Sequence, residues 1–211
     1  MTDKPVIHVV DDDDAMRDSL AWLLDGERYS VLTYATGEDF LARFEHAAPA
    51  CVILDIRMPG MGGIEVHEQL ALRGTTTPVV FVTGHGDVPM AVEAIKRGAF
   101  DFIEKPFNEQ KLTSIIERAL ELDAQNAGQV AAQSEVAARL AKLSPREREV
   151  LDLVIKGKMN KTIADVMNFS IKTVEAHRSK VMEKMCARSL AELVQAVLKA
   201  GGTASGAQPG A

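Results

Sequence analysis

Four short apolar runs in the first half of the chain are each followed by a side chain that can bind or transfer a charged group. Runs that are apolar throughout and rich in Val, Ile and Phe are typical of strands covered on both faces of a sheet. If the strands are parallel, their C-terminal ends share the edge where open α/β sheets place ligand sites. The runs are 6–10, 51–54, 79–82 and 100–104, and the side chains that follow them are Asp11 with Asp12, Asp55, Thr83 and Lys105.

Residues 1–122 alternate between such runs and segments in which apolar residues recur every three or four positions, as they do in amphipathic helices. Five strand–helix units in succession predict an α/β domain with a five-stranded, doubly wound parallel sheet. The predicted strands lie near residues 6–10, 30–34, 50–54, 79–83 and 100–104.

The character of the sequence changes after residue 122. Residues 123–142 are rich in Ala and Gln without a strand pattern, which predicts a partly helical linker. A small all-α domain is expected over 143–200, and it opens with the helix-start signal Ser144-Pro145-x-Glu147. Residues 201–211 have low complexity and are predicted to be a disordered tail. The helices expected in the second domain span 145–156, 160–167, 171–185 and 189–199.

The net charge of −6 hides a division between the two halves. Residues 1–125 carry 11 Lys and Arg against 22 Asp and Glu, whereas residues 143–211 carry 11 against 7. The acidic half could therefore hold a cation, and the basic half could bind nucleic acid. No run of apolar residues is long enough for a membrane span, and no signal peptide is evident. We expect a cytoplasmic protein with no membrane partner.

The acidic side chains suggest phosphoryl chemistry. Mg²⁺ prefers oxygen ligands, and Asp12 and Asp55 could supply carboxylates, with Asp11 helping directly or through water. Carboxylates can also act as nucleophiles that form acyl-phosphates. The Lys105 ammonium and the Thr83 hydroxyl are suitable partners for phosphoryl oxygens.

These residues stand in motifs that resemble the receiver domain of two-component response regulators. The resemblance covers residues 4–122, and the stretch 82–96 is similar to the FixJ-like branch of the FixJ/NarL family. It implies a CheY-like receiver competent for phosphorylation. The motifs are Val10-Asp11-Asp12, Asp55-Ile56-Arg57-Met58-Pro59-Gly60-Met61-Gly62-Gly63, Thr83-Gly84 and Glu104-Lys105-Pro106-Phe107.

The resemblance assigns a role to each site residue. It implies that Asp55 accepts a phosphoryl group from a sensor histidine kinase, and that Mg²⁺ is bound by Asp11, Asp12, Asp55 and the backbone carbonyl of Arg57. Lys105 and Thr83 would contact the phosphoryl group, and Phe102 occupies the position of the aromatic switch. His85 could orient water or shield the acyl-phosphate, but it could equally be a solvated loop histidine.

We expect phosphorylation to change the surface formed by helix 89–98 and strand 100–104. Thr83 moving inward would leave space for Phe102 to turn inward, and a homodimer would form through this surface. Val88, Val92, Ile95 and Lys96 are predicted to lie near that interface.

Residues 142–199 resemble the LuxR/NarL-type helix-turn-helix domain, whose third helix is the recognition helix. The resemblance implies that the first turn of the second helix contacts the DNA backbone and that the third helix enters the major groove. His177 could be half-buried or contact phosphate, and Glu175 could accept a hydrogen bond from cytosine. The expected DNA-binding residues are Asn160, Lys161 and Thr162, and Lys172, Thr173, Glu175, Ala176, His177, Arg178 and Lys180. On sequence grounds Lys172, Thr173, Glu175, Ala176, Arg178, Ser179 and Lys180 are all expected to be exposed.

Together the two resemblances imply a non-enzymatic regulator that binds promoter DNA, with RNA polymerase as a further candidate partner. Two other functions were considered as alternatives. A phosphatase of the haloacid dehalogenase type would need Asp-x-Asp-x-Thr/Val after the first strand, but Asp11-x-Asp13 is followed by Ala15. A signalling adaptor whose helical domain binds protein is disfavoured by the match over 160–180.

Overall fold

A computed structural model describes residues 4–26, 28–45, 50–84 and 88–200. The chain divides into two compact units, Met1–Gly128 and Gln129–Ala211. The predicted role of His85 and the predicted tail 201–211 lie outside the described residues, and so does the side chain of Val88.

The first unit contains a parallel sheet of five strands. Their order across the sheet is β2-β1-β3-β4-β5, which confirms the predicted doubly wound α/β fold. The strands are β1 Val6–Val10, β2 Ser30–Tyr34, β3 Ala50–Asp55, β4 Val79–Thr83 and β5 Asp101–Glu104. The helices between and after them are α1 Asp14–Leu24, α2 Gly37–Arg43, α3 Gly63–Leu72, α4 Val88–Lys96 and α5 Glu109–Ala141.

The strand register brings the predicted polar residues to one edge. Val10 pairs with Leu54, and Leu54 pairs in turn with Phe81. The next residues along β1 and β3 are Asp11 and Asp55, so their carboxylates leave the sheet at the same level. Parallel pairing of these strands thus explains why distant parts of the chain meet.

Both faces of the sheet are covered, as the apolar strands require. Along β3 the side chains alternate between two cores: Cys51 and Ile53 pack on one face, whereas Val52 and Leu54 pack on the other. All four are buried. This alternation follows from the two-residue period of a strand.

Helix α5 is longer than the predicted helix. It runs without interruption through residues 123–141, the stretch predicted to be a partly helical linker. Its first half packs into the core of the first unit through Leu112, Ile116 and Ala119. The buried Asp123 carboxylate accepts a hydrogen bond from the Ala50 amide at 2.8 Å, which joins α5 to the start of β3.

The second unit contains the last turns of α5 and four further helices. Ser144 caps the first of these in a reciprocal capping box with Glu147, as the sequence predicts. Val136 and Leu140 of α5 pack against the core of this unit. The four helices are α6 Pro145–Ile155, α7 Asn160–Met167, α8 Ile171–Lys184 and α9 Leu190–Lys199, and their ends lie within a residue of the predicted ones.

Across the parts of the chain that the structure describes, we find no helix with both the length and the apolar character needed to cross a bilayer.

Candidate functional site

Asp55 lies at the end of β3 with both carboxylate oxygens hydrogen-bonded. Its Oδ1 accepts from the Arg57 amide at 3.0 Å. Its Oδ2 accepts from Lys105 Nζ at 2.7 Å. The side chain is 12% exposed, so it is reachable from solvent but held in one orientation.

Asp11 lies beside it and shares the same lysine. Asp11 Oδ2 accepts from Lys105 Nζ at 3.0 Å, and Oδ1 accepts from the Asp13 amide at 2.9 Å. The side chain is only 3% exposed. Lys105 therefore bridges two carboxylates that come from different strands, and it holds them at a common point of the sheet edge.

Three carboxylates converge in a geometry that suits a divalent cation. One oxygen from each of Asp11, Asp12 and Asp55 lies within 4.8 Å of the others. Asp12 is exposed, whereas Asp11 is buried, so an ion would enter the cluster from the solvent on the Asp12 side. Oxygen donors of this kind fit Mg²⁺, which retains several waters.

The charges of the cluster are strongly interdependent. Burial raises the pKa of Asp11, against the lowering effects of the hydrogen bonds from Asp13 and Lys105. Burial by itself would lower the pKa of Lys105, but the hydrogen bonds to Asp55 and Asp11 outweigh it and raise that pKa. A bound cation would relieve the repulsion between the acids, as Lys105 already does in part.

Thr83 and Phe102 flank the cluster on neighbouring strands. Thr83 ends β4 and is buried, and its hydroxyl donates to the Gly84 carbonyl at 2.8 Å. Phe102 lies in β5, is half-buried, and packs against the core on one face of the sheet. Both residues therefore occupy positions from which a change at Asp55 could be transmitted along β4 and β5.

Three further residues shape this site: the sequence did not single out Arg17 or Glu38, whereas Gly63 is the last residue of the Asp55 motif. Arg17 Nη1 donates to the Asp11 carbonyl at 2.6 Å and pairs with Asp14, so it fixes the backbone of the acidic turn. Glu38 Oε1 accepts from the Met61 amide at 3.0 Å and holds the loop after β3. A Cβ on Gly63 would lie 2.1 Å from the Asp55 carbonyl oxygen.

Only the Arg17 contact could have been predicted from a local pattern in the sequence. Arg17 stands three residues after Asp14 at a helix start, where side chains three apart are neighbours. The Glu38–Met61 contact joins residues 23 positions apart, and the Gly63 contact depends on how α3 packs. No local pattern predicts either.

In the second unit, α7 and α8 meet in a helix-turn-helix. Asn168 ends α7 in the left-handed conformation with φ 53°, and Ser170 caps α8 by accepting from the Thr173 amide. Val174 and Val181 of α8 are buried in the core. The opposite side of α8 is exposed to solvent through Lys172, Glu175, Ala176, Ser179 and Lys180. We call these five residues the exposed face of α8.

The predicted exposure of Thr173 and Arg178 is wrong. Both are half-buried, because they flank the buried stripe of the helix. Thr173 Oγ1 lies 2.8 Å from the Ser170 hydroxyl. Arg178 Nη1 donates to Asn160 Oδ1 at 2.8 Å.

His177 also flanks the buried stripe. It is half-buried and stacks on Phe169, with ring centroids 5.6 Å apart. Its Nδ1 is buried with no hydrogen-bond partner among the described residues. Of the two positions predicted for His177, half-buried or in contact with phosphate, the structure shows the half-buried one.

The first turn of α7 contains the three residues of this helix that are predicted to contact the DNA backbone. Met159 precedes it and provides no side-chain cap, so the first amides of α7 are not capped by the residue in front of them. Lys161 is exposed, whereas Asn160 and Thr162 are half-buried. Free amides at a helix start attract negative charge.

Comparison with known proteins matches both units. The response regulator receiver domain family matches residues 7–117, more than half of the chain. The chain belongs to the two-component response regulator family. The luxR family of bacterial regulatory proteins matches residues 141–197, which contain α6 to α9.

Relatives of this response regulator match along almost its whole length. The transcriptional regulatory protein FixJ of Bradyrhizobium diazoefficiens is 45% identical over 201 residues, which cover 95% of this chain and 98% of FixJ. The tetrathionate response regulatory protein TtrR of Salmonella typhimurium is 47% identical over 189 residues, covering 90% of each chain.

Solved structures give the same result. The response regulator StyR matches with a TM-score of 0.83 and 42% identity, over 93% of this chain and 100% of StyR. Full-length FixJ from B. japonicum matches with a TM-score of 0.58 and 45% identity, over 95% of this chain and 98% of FixJ. The protein is thus a two-component response regulator that controls transcription, with a histidine kinase implied by its receiver and DNA binding implied by its LuxR-type domain.

Proposed function

We propose that Asp55 is the phosphoacceptor of this response regulator. The observation that supports this most is the bridge of Lys105 between Asp55 and Asp11, within a cluster of three carboxylates. An oxygen of Asp55 attacks the phosphorus of a phosphohistidine on the kinase. The bond from histidine nitrogen to phosphorus breaks, an aspartyl phosphate forms, and the histidine nitrogen keeps the electron pair.

We propose Mg²⁺ as the cofactor of this transfer. Asp11, Asp12 and Asp55 would hold the ion, together with the backbone carbonyl of Arg57. When bound, the cation neutralises charge that develops on phosphoryl oxygens. Lys105 contributes a second positive charge beside Asp55 and Asp11, and Arg17 keeps the acidic turn in place through the Asp11 carbonyl.

The phosphoryl group then changes the receiver surface. It adds about −1.5 to −2 charges and three acceptor oxygens. The Thr83 hydroxyl, which now donates to the Gly84 carbonyl, would turn to the phosphoryl group. Phe102 would fill the space that Thr83 vacates, because it lies on the neighbouring strand β5 and packs against the core on one face of the sheet.

We propose that this change promotes a homodimer through α4 and β5. Val92 is 42% exposed at the surface of α4. Ile95 is half-buried and Lys96 is exposed beside it. An exposed apolar side chain on α4, beside the half-buried Ile95, is a suitable contact for a second copy.

We propose that the exposed face of α8 reads base edges in the major groove. Lys172 and Lys180 supply cations, Glu175 can accept from cytosine N4, and Ala176 can contact a thymine methyl. Ser179 belongs to the same face and joins the predicted set. Thr173, His177 and Arg178 lie beside it, where they support the helix.

The first turn of α7, with Asn160, Lys161 and Thr162, is proposed to bind a backbone phosphate. A protein with these contacts acts at promoter DNA, so we propose a cytoplasmic location and contact with RNA polymerase. Retention of purified RNA polymerase on promoter DNA by the phosphorylated protein tests the latter.

Intact mass measurement tests the phosphoacceptor. The protein is incubated with acetyl phosphate and Mg²⁺, and the Asp55→Asn variant is treated in parallel. We expect wild type to gain the mass of one phosphoryl group and the variant to gain none. Removal of Mg²⁺ with a chelator should abolish the gain. Equal labelling of the two proteins would place the acceptor elsewhere.

A further inference from the structure

Arg178 is a cation of the recognition helix that points away from the exposed face of α8. An α-helix turns about 100° per residue, so Arg178 lies about 120° around the axis from Lys172. It lies within about 60° of both Val174 and Val181, which are buried. Its half-buried position follows from this geometry and distinguishes it from Lys172 and Lys180.

The surroundings of Arg178 also hold it away from a base-reading position. Arg178 lines a small cavity at the core of the second unit together with Val154, Val181 and Leu193. Its guanidinium reaches across to α7 and donates to Asn160 Oδ1 at 2.8 Å. A half-buried arginine whose guanidinium already donates to a neighbouring helix has little freedom to enter the major groove.

This contact determines how Asn160 is presented. Because Oδ1 accepts from Arg178, the amide nitrogen of Asn160 is directed elsewhere and can donate to another acceptor. Asn160 and Arg178 line an open groove of about 600 Å³ that Lys158 and Lys161 also line. Within the described residues that line it, the charged side chains are all cations, so the groove suits an anion such as a DNA phosphate.

We propose that Arg178 is a positioning residue, which orients Asn160 and the first turn of α7 toward a DNA phosphate and does not read bases. The inference rests on the proposed DNA contact of Asn160. Three roles for Arg178 then make different predictions. A base reader sets sequence preference, a phosphate-binding cation sets salt dependence, and a positioning residue is coupled to Asn160 alone.

The probe is a duplex selected from a random-sequence pool by the full-length wild-type protein treated with acetyl phosphate. Affinity for that duplex is measured at several salt concentrations for wild type, Arg178→Met, Asn160→Ala, Asn160→Asp and the double variant Arg178→Met with Asn160→Ala. Met keeps the apolar stem without any donor, and Asp keeps the acceptor for Arg178 but loses the amide donor. Lys161→Ala, in the first turn of α7, is the matched cation control, because exposed Lys161 is proposed to bind a backbone phosphate.

We expect Arg178→Met and Asn160→Ala each to weaken binding by ~10-fold, the loss of one hydrogen bond to a charged group. The double variant should be no weaker than either single one. Asn160→Asp should bind as poorly as Asn160→Ala, and its melting temperature should stay close to that of wild type. The slope of log K against log salt should become shallower by about 0.9 for Lys161→Ala and stay unchanged for Arg178→Met.

Several results would overturn the inference. They are additive losses in the double variant, a reduced salt slope for Arg178→Met, or a changed base preference when the selection is repeated with that variant. A loss of melting temperature in Arg178→Met that accounts for its whole loss of affinity would also do so. If wild type retains no duplex at all, the proposed DNA contact itself fails, which is distinguishable from these outcomes.

Discussion

Gly63 lies where the backbone of α3 comes closest to the backbone of Asp55, and no side chain fits between them. Gly63 begins α3, and an added Cβ would lie 2.1 Å from the Asp55 carbonyl oxygen. That distance is far below van der Waals contact, and the neighbour is backbone. The close approach of α3 to the end of β3 therefore requires glycine at this position.

Gly63→Ala should consequently damage both stability and phosphorylation. We expect the receiver to lose at least about 1–3 kcal/mol of unfolding free energy through overpacking. The displaced Asp55 should be labelled more slowly by acetyl phosphate. Gly128→Ala is the control, because the space around Gly128 in α5 is open. It should raise stability by about 0.5–1 kcal/mol, since glycine is a poorer helix former than alanine. Urea unfolding measures the stability of both variants. Equal stability of Gly63→Ala and Gly128→Ala would contradict the account.

Glu147 gives the second unit a defined acid sensitivity. The hydrogen bond from Lys184, 2.6 Å long, is the main reason that the pKa of Glu147 falls from 4.5 to about 2. A carboxyl group whose pKa is lower in the folded state stabilises above its unfolded pKa and loses this effect as pH falls. The stabilisation should be complete above pH 4.5 and disappear toward pH 2.

The prediction is that Glu147→Gln costs on the order of 2 kcal/mol at neutral pH, the value for a charged hydrogen bond. The difference from wild type should shrink as pH is lowered from 4.5 toward 2. Denaturant unfolding of α6 to α9, followed by circular dichroism at several pH values, measures it. Glu149→Gln is the control, since Glu149 pairs with Arg146 at the surface. A difference that does not depend on pH would show that the Lys184 pair is not responsible.

At the scale of elements, α4 and β5 are the surface on which the dimer proposal depends. Val92→Asp places a charge on the exposed side of α4, where a second copy would have to bury it. We expect this variant to be phosphorylated normally and to remain monomeric in sedimentation with acetyl phosphate, whereas wild type dimerises. Leu72→Asp is the matched control, because Leu72 is 79% exposed on α3. If Val92→Asp dimerises like Leu72→Asp, the interface lies elsewhere.

The strands and their chemistry could be predicted from the sequence because both depend on local pattern. Apolar runs mark β1, β3, β4 and β5, and parallel pairing brings the residues after them together. The length of α5 could not be predicted in the same way. Residues 123–141 are rich in Ala and Gln, which favours a helix, but they lack a strong apolar period, so the packing of Val136 and Leu140 was not evident.

The exposure of Arg178 and Thr173 was predicted wrongly because residue type was given more weight than their place around the helix. Arg and Thr are usually exposed, and their residue types alone place them with Lys172 and Lys180. Their burial depends on which side of α8 packs against α6 and α7, and on a contact with Asn160 that spans 18 positions. Tertiary packing decided this point.

At the scale of the whole molecule, the DNA-binding unit extends further toward the N-terminus than its four helices. Arg139 Nη1 donates to the Met185 carbonyl at 3.1 Å, and Arg148 Nη2 donates to the Leu140 carbonyl at 3.0 Å. Leu140 and Val136 also pack against the core of this unit. The last turns of α5 therefore belong to this core.

A fragment of residues 129–200 should accordingly be more stable than one of residues 143–200. The shorter fragment lacks two half-buried aliphatic side chains, each worth roughly 1–2 kcal/mol when buried. Thermal unfolding of the two fragments measures the difference. The longer fragment with the substitution Gln129→Ala serves as a control for changes at its new terminus, because Gln129 is exposed. Equal melting temperatures for the two lengths would mean that α5 contributes nothing to this unit.

The central claim is that phosphorylation of Asp55 controls DNA binding by the second unit. The most direct measurement is the affinity for a selected duplex, with and without acetyl phosphate and Mg²⁺, for wild type and Asp55→Asn. Coupling between distinct sites is typically about 5–150-fold, and we predict an increase of that size for wild type. Asp55→Asn should show no change. A wild-type affinity that is the same in both conditions, or an equal increase in the variant, would contradict the account.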